Sequence, residues 1–180
     1  LGLKADVITS CCGSLFSEGS PTLAAEASAM KPLPAMWLFY GSLGTVIALA
    51  AAHGIGGARR GWLVYALAAA SALAFAATIA GILSFVSLYV YEHPNHHCPF
   101  CILKPEYGHQ GYWLYVPLFA ATAAGLGVGA LQPFRNVASL RTIVPAAAAR
   151  LAGIAAIGYL LVAAIATYFV LHSNLILIEH

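Results

Sequence analysis

From Trp62 to Tyr91 the chain runs for thirty residues without a charged side chain. As a helix this run is roughly 45 Å long, against a bilayer hydrocarbon core of about 30 Å. It must tilt in the membrane or project from it on the Tyr89-Val90-Tyr91 side, and Glu92 and Pro94 end it. Three more stretches are also free of charge: Leu33 to Ala52, Tyr112 to Leu131 and Leu151 to Leu171. About 20 apolar residues suffice to cross the core as a helix. Trp37 and Tyr40, and then Tyr112, Trp113 and Tyr115, fit the aromatic belts of a membrane interface. Only 8% of the residues are charged, where a soluble domain carries about 25%. A water-compatible surface cannot be made from so few charges, so the chain reads as an integral membrane protein.

The expected architecture is all-α: a polytopic membrane four-helix bundle with both termini outside. Its spans cover about 33–53, 61–91, 112–132 and 151–172, within a helical domain over 33–180. Residues 1–32 form an extracytoplasmic segment with a cysteine pair, and residues 92–111 an outward loop. Residues 134–150, with Pro145 among apolar residues, read as interfacial. The first residue is Leu1 and not Met, so a processed start is expected, with room for a fifth helix upstream. Gly125 and Gly129 form a GxxxG pair that lets another helix approach closely.

Arginine sets the orientation. Arg59, Arg60, Arg135, Arg141 and Arg150 all lie in the connections after the first and third spans. The positive-inside rule places those connections in the cytoplasm. The acidic residues all lie in the N-terminal segment, the 92–111 loop or the tail. Both cysteine pairs therefore emerge on the non-cytoplasmic side of a bacterial-type inner membrane. The lipid bilayer is one partner, and nucleic acid is not an expected one.

The reactive side chains gather in His93-Pro94-Asn95-His96-His97-Cys98-Pro99-Phe100-Cys101. The Cys98–Cys101 spacing suits a reversible disulfide, and it suits two ligands to one soft metal. Outside the cytoplasm thiols are kept oxidised unless they work. Imidazoles of His93, His96 and His97 nearby either raise the thiolate fraction or join a copper or zinc site. Phe100, Tyr112 and Trp113 are candidates to line a quinone head-group pocket. Cys11 and Cys12 are adjacent in a turn-like stretch, where they can exchange with Cys98 or Cys101 or bind metal. His53 and His172 read as polar anchors near span ends. No CxxCH is present, so covalent haem attachment is not expected.

Three functions follow: a quinone-linked thiol-disulfide oxidoreductase, an outward copper- or zinc-binding membrane protein, or a non-catalytic subunit of a larger respiratory or transport complex. In the order of its parts the chain resembles the membrane thiol oxidoreductases of the vitamin K epoxide reductase and DsbB type: an outward cysteine pair, two spans, an outward CxxC, two spans. That resemblance implies electron transfer between an extracytoplasmic thiol protein and a quinone. Cys11 and Cys12 would be the shuttle pair. Cys98 would take the mixed disulfide, and Cys101, beside Ile102-Leu103, would face the quinone.

Overall fold

The computed structural model describes residues 26, 30–55, 61–92 and 98–175. Four helices in it are long and apolar enough to cross a membrane. They are α1 (Pro32–Gly54), α2 (Gly61–Tyr91), α3 (Gln110–Leu131) and α4 (Ile143–His172). No strand occurs among the described residues. The body is an all-helical unit whose exposed faces suit lipid, with Trp37, Leu73, Trp113, Val116 and Leu171 all projecting outward.

Each helix runs antiparallel to the one before it. The Tyr40 hydroxyl near the start of α1 lies 2.9 Å from Thr167 Oγ1 near the end of α4. Phe39 of α1 meets Phe85 of α2 edge-on at 5.4 Å. Helices α1 and α3 each pack against both α2 and α4. The thiol loop thus shares one end of the bundle with the start of α1 and the end of α4. At the opposite end Gln132, after α3, sits against Gly61 at the start of α2.

Buried positions recur at spacings of three and four. On α1 they are Ala35, Phe39, Leu43, Val46, Ala50 and His53. This pattern makes a narrow seam of the kind that close helix pairs use. Small residues bring the seams together, because lipid supplies no hydrophobic drive between helices. A Cβ on Gly125 would overlap the Ser71 side chain of α2, and one on Gly129 would lie 2.7 Å from Ala68 Cβ. The glycine pair of α3 therefore receives α2. Gly158 of α4 leaves room in the same way for Ala121 of α3. Between these contacts the Tyr159 hydroxyl donates to the Ser71 carbonyl at 2.9 Å and lies 3.0 Å from Thr122 Oγ1. The polar end of that tyrosine is satisfied within the core.

Three differences from the sequence expectations have physical reasons. Helix α4 begins at Ile143, so much of the stretch expected to be interfacial is helical. Pro145 falls in the first turn, where a missing N–H costs nothing, and Arg150 stays exposed. His53 is not an anchor at the surface: it is 3% exposed, and neither ring nitrogen has a hydrogen-bond partner among the described residues. Helix α2 also contains a π-turn over Ile82–Val86, wholly buried, which no sequence signal announces. The extra residue rotates the following turn by roughly 100°. Residues Ser87–Tyr91, which lead into the thiol loop, sit beyond that rotation. His172, by contrast, is exposed and stacks on Tyr168 at 4.0 Å, as an anchor would.

Candidate functional site

Helix α2 stops at Glu92, whose backbone is left-handed (φ 51°). The Glu92 carboxylate accepts from the backbone N–H and the side-chain amide of Asn174 at 3.0 and 2.9 Å. That contact ties the end of α4 to the end of α2. From Cys98 the chain turns sharply, then winds through two short 3₁₀ turns, Cys101–Leu103 and Pro105–Tyr107. Their backbone bonds close locally: Leu103 N–H to the Phe100 carbonyl at 3.1 Å, and Lys104 N–H to the Cys101 carbonyl at 3.0 Å. Gly108 and His109, both left-handed, hand the chain to α3. His109 Nδ1 lies 2.8 Å from the Leu103 carbonyl oxygen.

Two tyrosines from neighbouring helices hold the turn. The Tyr91 hydroxyl of α2 donates to the Cys98 carbonyl. The Tyr115 hydroxyl of α3 donates to the Pro99 carbonyl at 2.9 Å. Tyr107 packs edge-on against Tyr91 at 4.7 Å. Ile102 plugs the loop into the bundle at 1% exposure. It can do so because residue 111 is glycine: a Cβ there would lie 2.8 Å from Ile102 and Leu103 side-chain atoms. These contacts make the CxxC turn part of the folded body.

The two sulfurs differ in access. Cys98 is buried at 6% exposure, and Cys101 is partly exposed. The family resemblance gives the mixed disulfide to Cys98 and the quinone to Cys101. Beside the turn a groove of about 550 Å³ opens between α2 and α3. Its walls are Ile79 of α2, Tyr112, Tyr115, Val116 and Phe119 of α3, and Pro99, Phe100 and Leu103 of the loop. Phe100 and Tyr112 thus line one groove, as a shared pocket requires. Trp113 does not join them. It lies one helix position round, in a separate groove of about 270 Å³ with Gln110, Ile165, Tyr168 and Phe169.

Cys11, Cys12, His93, His96 and His97 lie outside the described residues. Among the described residues no group of three or more His, Cys, Asp or Glu side chains could hold a metal ion. Sequence reasoning does not find Tyr91 and Tyr115 as loop clamps. Their positions at the loop-side ends of α2 and α3 look like belt aromatics. Only their reach to loop carbonyls distinguishes them. In comparisons with known proteins, the chain matches no family model, no curated protein and no solved structure.

Proposed function

We propose that this chain is a membrane thiol-disulfide oxidoreductase that passes electrons between thiols on the non-cytoplasmic side and a quinone in the bilayer. The observation that supports it is the seating of Cys98-Pro99-Phe100-Cys101 on the rim of a lipid-facing apolar groove. Pro99 and Phe100, the residues between the two thiols, are themselves groove wall. Among the described residues, rings and branched chains line it with no charged group, which fits an isoprenoid tail and a planar head. The arginines of the opposite end, Arg135 and Arg141 among them, belong to the cytoplasmic side by the positive-inside rule. That orientation turns the thiol loop to the oxidising compartment, where a CxxC is usually a working pair.

The electron balance is simple. A partner dithiol loses two electrons and two protons through the Cys98–Cys101 pair, and a bound quinone supplies the sink for both. The chain's own residues have the other tasks. Tyr91 and Tyr115 fix the turn, and Ile102 anchors it. Reconstituted in quinone-loaded nanodiscs and given a soluble dithiol, the protein is expected to form quinol. Val116→Trp fills the groove and is expected to raise the quinone KM about tenfold, or ~1.4 kcal/mol. An unchanged KM would detach the groove from the reaction.

A further inference from the structure

We infer that Cys101 is the sulfur that exchanges with the soluble partner, and that Cys98 is the interior sulfur, held there by the Tyr91 and Tyr115 hydroxyls. This rests on the oxidoreductase reading above and assigns the order of its steps. Disulfide exchange needs an in-line approach to one sulfur while the other leaves, so access decides which is attacked. Cys98 is 6% exposed and Cys101 is open to one side. The difference comes from the clamps. Consecutive carbonyls, of Cys98 and Pro99, are bound by phenols from two different helices, which draws the first half of the turn into the bundle. Cys101 lies between exposed Phe100 and the buried Ile102, and opens a 3₁₀ turn that leads to exposed Lys104 and Glu106.

The steps balance. A partner thiolate attacks the Cys101 sulfur of the Cys98–Cys101 disulfide. The partner–Cys101 bond forms, the intramolecular bond breaks, and Cys98 leaves as the thiolate. A second partner thiolate then attacks the partner's sulfur in the mixed disulfide: the partner's own disulfide forms, the bond to Cys101 breaks, and Cys101 leaves as the thiolate. The partner is oxidised, and the reduced pair would return to the Cys98–Cys101 disulfide as two electrons and two protons pass to a quinone, the oxidant that the reading above names. Tyr91 and Tyr115 are positioning residues for the turn in this scheme, and Tyr115 is also part of the groove wall.

The test uses the full chain in nanodiscs. Cys98→Ser and Cys101→Ser are each exposed to glutathione disulfide, and adducts are located by peptide mass spectrometry. The expected result is an adduct on Cys101 in Cys98→Ser and at least about tenfold slower reaction of Cys98 in Cys101→Ser. Tyr91→Phe with Tyr115→Phe, both conservative, should bring the Cys98 alkylation rate in reduced protein up to that of Cys101. A Cys98 adduct forming as fast as the Cys101 adduct overturns the inference and leaves the oxidoreductase reading standing. No adduct in either variant, together with no quinol in the unsubstituted protein, overturns both.

Discussion

Cys98→Ser or Cys101→Ser alone is expected to cut thiol-to-quinone turnover by about a thousandfold or more, the scale of losing one member of a catalytic unit. A hydroxyl at neutral pH is a poor nucleophile and forms no disulfide, so neither exchange nor its resolution survives. Because the two sulfurs act as one unit, the double variant should lose no more than either single one. Quinol formation from a dithiol, followed by absorbance in nanodiscs, reads the effect. The fold should persist in each variant. Ile102 and the Tyr115 bond to the Pro99 carbonyl, not the sulfurs, hold the turn to the bundle. Loss of turnover with an unchanged melting temperature therefore separates chemistry from structure. Residual activity near that of the unsubstituted protein would place the reaction elsewhere.

Gly125→Leu is the structural counterpart. Even a single Cβ at this site overlaps the Ser71 side chain. Ser71 cannot swing away cheaply: its hydroxyl donates to the Leu67 carbonyl at 2.8 Å, and its own carbonyl accepts the Tyr159 hydroxyl. The backbone of α2 or α3 must move instead. Overpacking of this kind costs about 1–3 kcal/mol for one or two carbons, and a leucine exceeds it. Unfolding in detergent micelles should show a loss of about 3 kcal/mol or more, with Gly44→Leu as the control. A Cβ added at Gly44 meets nothing within 4 Å, so the control should melt as the parent does. Separation of α2 from α3 also breaks the groove and parts Tyr91 from Tyr115. Activity should fall with stability.

Why some of this is legible in the sequence and some is not comes down to range. The spans announce themselves because charge is absent from Trp62–Tyr91 and its three counterparts, and lipid tolerates little else. The Gly125–Gly129 pair is a local signal of close approach, and α2 packs there. The start of α4 is harder to place because Pro145 reads as a breaker, though proline is tolerated in a first helical turn. His53 is readable in principle. It continues the buried series Phe39, Leu43, Val46 and Ala50 at the same spacing. The tyrosine clamps are not readable. Their acceptors are backbone carbonyls of Cys98 and Pro99, which carry no side-chain signature. The same holds for the burial of Cys98, which depends on where α2 delivers Tyr91 after its π-turn.

Whether Cys98 and Cys101 form a working redox pair is decided most directly by the reduction potential of that pair, titrated by thiol trapping of the protein in nanodiscs. A potential within the range of catalytic dithiols, about −120 to −270 mV, is the expected result. A bridge that resists reduction, with a potential below about −300 mV, or thiols that stay unreactive around a bound metal ion, would contradict it.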